Sequence, residues 1–366
     1  MAKISVLIPS YNHSLYIEKC IKSVINQTFK DIEILIGDDC STDNSRDIIN
    51  KFNDDRIKKY FYECNCGGSA NLNKLISLAS GEYIAILNSD DYWELDKLEK
   101  QYEFMEKNKE YAACFTWVQY INKKGKKIYP KNYFIQENRS QSEWLHYFLY
   151  EGNCLCHPSI LIRKEIYDEI GDYYVRCRQI PDFIEWIKLV KKYPIYILPE
   201  MLVNFRWLDE GENTSGVSIK NINRSYYEYY MISQEFFDGC SVELLSETFN
   251  INKKRCNKNE VFFEFEKYKL LYDDNIFGNM SKIVGYVGIG KLLESEKNRM
   301  LLLKEYNFSV NDYYKMGEIF NFHPVNELPK NNNVPEHILC SRGYRILMNI
   351  YNSKIYKLCQ KIKKKK

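Results

Sequence analysis

Two aspartates stand side by side at the end of the stretch Tyr83-Ile84-Ala85-Ile86-Leu87-Asn88-Ser89-Asp90-Asp91. The run from Tyr83 to Leu87 is apolar enough for a central strand covered on both faces. The C-terminal end of such a strand is where open α/β sheets hold their ligands. Carboxylates are rarely buried unless they are paired or hold a cation. A hard divalent cation shared with substrate phosphates would satisfy both and draw in a nucleotide. The competing reading is a helix cap, with Asp90 or Asp91 heading a helix that starts near Glu94.

The elements that must position this pair alternate in type. Ile4 to Ile8 reads as a strand, and Ile17, Cys20, Ile21, Val24 and Ile25 form a helical stripe. Ile32 to Ile36 is a second strand, ending in Gly37-Asp38-Asp39, and Ser41-Thr42-Asp43 opens a helix through Phe52. Ile57 to Tyr62 is a third strand, Asn71 to Ala79 a helix ended by Gly81, and the fourth strand leads to the acidic pair. This order predicts an α/β fold with a mostly parallel, doubly wound sheet. Beyond it, Glu94 to Lys107 and Ser142 to Tyr150 read as helices. Asn122-Lys123-Lys124-Gly125 turns a hairpin between Ala112–Ile121 and Lys127–Phe134. Pro158 to Ile162 and Met201 to Trp207 are strands, Phe183 to Val190 a helix, and residues 209–213 a loop. After about residue 220 strand signals fade and helices dominate: Ser225–Phe237, Glu260–Tyr272, Leu292–Tyr306 and Ile338–Ile362. The expected division is a catalytic domain over 1–240 and a helical C-terminal region over 241–366 with a basic tail.

Composition narrows the class. The 366 residues carry 52 Lys and Arg against 49 Asp and Glu, a net charge of +3. So even a balance argues against a nucleic-acid binder. No apolar run reaches the roughly 18 residues of a membrane span. The first residues read as a strand rather than a secretion signal, so the twelve cysteines are expected as thiols in a cytoplasmic protein. Cys64-Asn65-Cys66 and Cys154-Leu155-Cys156 are spaced too closely for zinc knuckles.

The segments Ile4-Ser5-Val6-Leu7-Ile8-Pro9-Ser10-Tyr11-Asn12, Gln27-Thr28-Phe29, Asp38-Asp39-Cys40-Ser41-Thr42-Asp43, Gly81-Glu82-Tyr83-Ile84 and Asn88-Ser89-Asp90-Asp91 occur in an order that resembles the inverting family 2 glycosyltransferases with the GT-A fold. The resemblance runs over about residues 1–210. It implies a nucleotide site at Pro9, Tyr11, Asn12, Asp39 and Asp90, with Asp91 binding Mn²⁺ or Mg²⁺. Tyr11 would stack on the base, and Asp39, an acceptor-only carboxylate, would take the uracil N3–H. Asp38 would order the turn. The cation would take up charge on the departing nucleoside diphosphate. Many relatives carry an arginine near Gly67-Gly68-Ser69-Ala70-Asn71, and this chain does not. Inverting transfer also needs a base for the acceptor hydroxyl. Asp182, in Ile180-Pro181-Asp182-Phe183-Ile184-Glu185-Trp186, matches the acidic motif heading a helix, and Glu185 is the reserve. Pro181 and Asp182 equally suit a helix start. His157 and Trp186 either line the acceptor or diphosphate site or belong to the core.

The function implied is metal-dependent transfer of a sugar from a nucleoside diphosphate donor, UDP-linked by this reading. The hydroxyl acceptor would be a bacterial surface glycan, a lipid-linked intermediate or a protein. Two other classes stay open: a sugar-phosphate nucleotidyltransferase and a non-catalytic nucleotide- or glycan-binding protein. Pro9-Ser10-Tyr11-Asn12-His13 lacks the Gly- and Arg-containing loop of the former. The last helix, with Ile346, Ile350, Ile355, Leu358 and Ile362 along one side and Lys354, Lys357, Lys361 and Lys363–Lys366 beside them, either contacts an anionic membrane peripherally or packs on the protein.

Overall fold

The structure, a computed structural model, describes residues 2–129, 134–208 and 218–320. Its chain falls into two compact units, Met1–Leu292 and Leu293–Lys366. The first begins β1 (Ile4–Ser10), α1 (Ile17–Ile25), β2 (Ile32–Asp38), α2 (Ser45–Asn50), β3 (Ile57–Phe61), α3 (Gly68–Leu78) and β4 (Tyr83–Ile86). It continues through β5 (Tyr92–Trp93), α4 (Lys97–Lys107), β6 (Ala113–Ile121), α5 (Gln141–Tyr150), β7 (Leu161–Arg163), α6 (Lys164–Ile170), α7 (Pro181–Lys192) and β8 (Ile195–Arg206). Helices α8 (Ile219–Glu235), α9 (Val242–Phe249), α10 (Lys253–Cys256), α11 (Glu260–Tyr272) and α12 (Asn279–Leu293) follow. The second unit holds α13 (Glu296–Tyr306) and α14 (Val310–Gly317), capped by Ser295 and Ser309.

One eight-stranded sheet runs in the order β3-β2-β1-β4-β7-β6-β8-β5. The half that carries the acidic strand ends, β3-β2-β1-β4, is parallel throughout. The other half is mixed: β7 runs antiparallel to both β4 and β6, β6 pairs parallel with β8, and β5 pairs antiparallel with β8. Every residue of β2 and β4 is buried, which is why their sequences read as unbroken apolar runs. Alternate residues feed two cores. Val6, Ile34 and Ala85 meet Ile17, Cys20, Ile21 and Val24 of α1 on one face. Leu7, Leu35, Ile84 and Ile86 meet Leu72, Leu75, Trp144, Phe148 and Trp186 on the other.

The second core also takes in Phe236, Phe237, Leu245, Ile251, Cys256, Leu271 and Phe277. The helices from α8 to α11 therefore share apolar core with the sheet, and residue 240 falls inside the first unit. Other differences from the sequence reading are local. Helix α2 starts at Ser45 because Ser41, Thr42 and Asp43 bond to the loop after β1 instead. The segment from Pro158 divides into a 3₁₀ turn, His157–Ser159, and β7. The stretch Leu292–Tyr306 breaks where Ser295 caps α13. The hairpin turn at Asn122 forms, with Ile121 bridged to Lys127. The loop at 209–213 and the helix at 338–362 lie outside the described residues. Among the described residues no helix is long and apolar enough to cross a membrane.

A buried polar knot fixes the lower edge of the parallel half. Glu33 accepts hydrogen bonds from Ser5 Oγ at 2.6 Å, Ser80 N at 2.6 Å and Lys58 Nζ at 2.8 Å. Gly81 N donates to Ser5 Oγ at 2.8 Å. A Cβ on Gly81 would lie 2.6 Å from Ser5 N and 2.9 Å from the Ile4 carbonyl carbon. These are backbone atoms of a central strand and have nowhere to move. Gly81→Ala should therefore cost about 1–3 kcal/mol, the usual penalty of overpacking. Urea denaturation of wild type and variant measures this, and equal midpoints would refute the fit.

Candidate active site

The loops after β1 and β2 are zipped together by short polar side chains. Asn12, at φ 53°, donates from its backbone to Ser41 Oγ and accepts from Thr42 N at 2.8 Å. His13 N donates to Ser45 Oγ at 3.0 Å, and Ser14 N to Asp43 Oδ2 at 2.9 Å. Asp38, fully buried, accepts from Ser41 N and Arg46 Nε and so orders the turn. Asn12 thus braces the loop, while Tyr11 stands 45% exposed and Pro9 is half-buried beside Gly37.

Asp39 is 2% exposed and faces the next loop. Its carboxylate accepts from Cys66 N at 2.8 Å, Gly67 N at 2.8 Å and the Cys66 thiol at 3.0 Å. A carboxylate offers about four acceptor positions, so capacity for one further donor remains. The loop bearing Cys66 runs into α3. There Asn71 Nδ2 donates to Gly37 O at 2.8 Å and Ser69 Oγ to Cys177 O at 3.2 Å. Two buried hydroxyls nearby in sequence, Ser10 Oγ and Tyr62 Oη, have no hydrogen-bond partner.

Asp91 is buried, and its Oδ1 accepts from Arg206 N at 2.6 Å. Burial first, and then the charge of Asp90, push its carboxyl well above the usual range. Its Oδ2 meets only Asn88 Nδ2, at a long 3.5 Å. No hydrogen bond ends on the Asp90 carboxylate among the described residues. The Arg206 guanidinium locks this loop in place. It donates to the Asp90, Asn122 and Lys123 carbonyls at 2.8, 2.8 and 3.0 Å and lies 4.2 Å from the Tyr16 ring centre. Ser89 Oγ and His13 Nδ1 are 2.7 Å apart, joining the acidic loop to the loop after β1.

Asp182 occupies the first turn of α7, partly buried, and accepts from Asn153 Nδ2 at 3.1 Å. Burial raises its carboxyl to about 6 against the opposing hydrogen bonds. Glu185, one turn on, has no exposed side-chain surface; Lys188 bonds one oxygen and the other has no partner. Burial lifts this carboxyl to about 8. His157 hydrogen-bonds Tyr173 Oη at 3.0 Å, and burial lowers its imidazole to about 4. Trp186 is 1% exposed and packs edge-on against Phe115, with His157 also against it. Trp93 Nε1 and Gln101 Nε2 hold the His157 turn from behind through the Pro158 and Ser159 carbonyls. Cys156, at the base of that turn, is raised by burial and then by the charges of both Asp91 and Asp182.

The chain matches known proteins in sequence and fold. The profile described as "Glycosyl transferase family 2" matches residues 5–171. TuaG of Bacillus subtilis, named as a teichuronic acid biosynthesis glycosyltransferase, is 33% identical over 257 residues, 69% of this chain and 97% of its own. The chain belongs to glycosyl transferase family 2. A second member, WfaP of Escherichia coli, is 40% identical over 123 residues, 34% of this chain and 48% of its own. Its name makes it a UDP-Glc:alpha-D-GlcNAc-diphosphoundecaprenol beta-1,3-glucosyltransferase. The Staphylococcus aureus TarS 1–349 structure with UDP-GlcNAc shares the GT-A-type fold. Its TM-score is 0.56 at 19% identity, covering 91% of this chain and 98% of TarS 1–349. The longer TarS structure is spanned over 55% of its length.

This glycosyltransferase uses residues that its sequence did not announce. Asn153 follows Gly152, whose φ of 88° turns the chain out of α5. Arg206 gave one signal: it is the sole charge in Leu202-Val203-Asn204-Phe205-Arg206-Trp207. Arg206→Leu strips three carbonyls of a charged donor and should cost about 3 kcal/mol, since such bonds contribute about 1.5–3 kcal/mol each and do not add fully. Arg206→Lys should fall between, lacking the planar fork. Calorimetric unfolding tests both, and wild-type melting of Arg206→Leu would show that the lock carries no load.

Proposed function

We propose that this glycosyltransferase moves a sugar from a UDP-linked donor to a hydroxyl of a bacterial glycan or its lipid-linked intermediate, inverting the anomeric centre. The observation that carries the reading is Asp39 at the end of β2, whose buried carboxylate takes three donors from the Cys66 loop and keeps one acceptor position open, together with the buried, donor-poor Asp91 in the loop after β4. The names of TuaG and WfaP, and the UDP-GlcNAc in TarS, support the choice of glycan and nucleotide.

Tyr11 stacks on the uracil, and the spare acceptor position of Asp39 takes the imide N3–H. Asp91 Oδ2 and the Asp90 carboxylate, poor in donors, suit a Mn²⁺ or Mg²⁺ ion, and their mutual repulsion is what a cation relieves. Among the described residues no cluster of three or more His, Cys, Asp or Glu side chains offers a full ligand set, so phosphates and water would complete the shell. Such an ion supplies charge stabilisation for the departing diphosphate. Asp182 accepts the proton of the acceptor hydroxyl as that oxygen bonds to the anomeric carbon. The bond to the UDP oxygen breaks on the opposite face, and UDP leaves with its electron pair. Glu185, closed off and raised to about 8, does not reach the acceptor.

Two outcomes follow. Asp182 works only when deprotonated, and burial sets its carboxyl at about 6. The transfer rate should therefore rise with pH up to about 6 and level off above it. Asp182→Asn should lower transfer about 10²–10⁴-fold and abolish that limb, with UDP affinity changed by less than about threefold. UDP release from a panel of UDP-sugars, read from pH 5 to 8, is the measurement. Near-normal release by the variant, or none by wild type from any member, would refute the assignment. Asp91→Asn should remove the gain in UDP affinity that Mn²⁺ gives the wild type. Calorimetric titration of UDP with and without Mn²⁺ reads this directly, and equal gains would take the metal away from Asp91.

A further inference from the structure

Glu228 lies on α8, 2% exposed, away from the strand ends that carry Asp39, Asp90 and Asp91. Its carboxylate receives three consecutive backbone N–H groups. Arg178 N reaches Oε1 at 2.8 Å, Gln179 N reaches both oxygens at 3.0 and 2.9 Å, and Ile180 N reaches Oε2 at 2.9 Å. These residues run straight into Pro181 and Asp182 at the start of α7. Consecutive N–H groups at a helix start form a concavity that favours an anion. Here the anion is a side chain of another helix.

The same segment is held from its other side by α3. Asn73 exchanges two hydrogen bonds with the Tyr173 backbone, at 2.8 and 2.9 Å, and Ser69 Oγ donates to Cys177 O. Seven residues beyond Glu228 on α8, Glu235 accepts from Tyr174 Oη and Arg176. The chain from Tyr173 to Ile180 is thus strung between the helix that follows the Asp39 loop and α8. Its free end is Asp182.

We propose that Glu228 is a positioning residue for transfer, fixing the start of α7 so that Asp182 faces the acceptor hydroxyl. The proposal rests on the reading of Asp182 as base. A misplacement of about 1 Å in a reacting group can cost on the order of a hundredfold in rate, and three backbone bonds are what prevents it here. Glu228 has a second effect through its charge. The groups acting on Asp182 are Asn153, which bonds it, the backbone N–H groups of Phe183 and Asp182 itself, Glu228 from α8, Glu185 one turn on, and Tyr173 and Cys156. Burial is the main cause of the raised Asp182 carboxyl, and the charge of Glu228 adds to it.

The test pairs Glu228→Gln with Glu228→Asp and runs Asp182→Asn beside them. Glu228→Gln keeps the shape, loses the charge and can accept at one atom only. Its kcat for UDP release should fall about tenfold or more with UDP affinity within about threefold of wild type. Its acidic limb should move to lower pH. The amides of Arg178, Gln179 and Ile180 should exchange hydrogen at least about tenfold faster, while Cys66 and Gly67 do not change. Glu228→Asp keeps the charge but withdraws it, so kcat should fall with the limb in place. A role in stability alone would lower melting and leave the limb and the kcat of folded enzyme untouched, which overturns the proposal. Failure of both variants to fold, or unprotected amides in wild type, overturns it as well. Loss of activity in Asp182→Asn with wild-type kcat and limb in Glu228→Gln refutes this inference alone. An active Asp182→Asn refutes the base assignment and this role with it.

Discussion

A carboxylate taken out of water must be given donors, and this chain gives its buried acids backbone N–H groups. Asp39 takes those of Cys66 and Gly67, Asp91 that of Arg206, and Glu228 those of Arg178 to Ile180. Hydrogen bonds to charged groups contribute about 1.5–3 kcal/mol, and an unmet buried charge costs more than that. The partners are remote, 27, 28, 115 and 50 residues away in the chain. Each acid therefore recruits a distant part of the chain. The sheet supplies a rigid edge, and the carboxylates determine which loops stand on it.

The same burial sorts the titratable groups. Asp182, partly accessible, sits at about 6, Glu185 behind it at about 8, and His157 at about 4. Burial thus moves both acids up and the imidazole down, each toward its neutral form. Environment thus divides similar residues between roles.

The parallel half of the sheet was legible because fully buried strands are unbroken apolar runs, and because acids at their ends have few other uses. The Asp182 helix was legible from Pro181 and from family resemblance together. Three things were not. The polar side chains after Asp39 read as a helix start, yet Ser41, Thr42 and Asp43 spend their bonds on the neighbouring loop, a choice made by a partner 30 residues away. The mixed half of the sheet has short strands whose partners are remote in the chain, β7 pairing with β4 and β6 and β5 with β8. Arg206 and Glu228 act through backbone groups far off in the chain, and no local pattern marks a side chain whose partner is a main-chain atom.

The lock at Arg206 has a consequence for synthesis. Strands β1, β2 and β4, with Asp39, Asp90 and Asp91, leave the ribosome long before residue 206 does. Until then Asp91 has no backbone N–H and the acidic loop has no guanidinium to hold it. Domains form from the N-terminus as the chain emerges, and contacts distant in sequence close last. The nascent chain therefore carries Asp39, Asp90 and Asp91 before the groups that hold the acidic loop exist. The acidic loop is locked only once β8 has joined the sheet, by which time α7 and Asp182 have also been made.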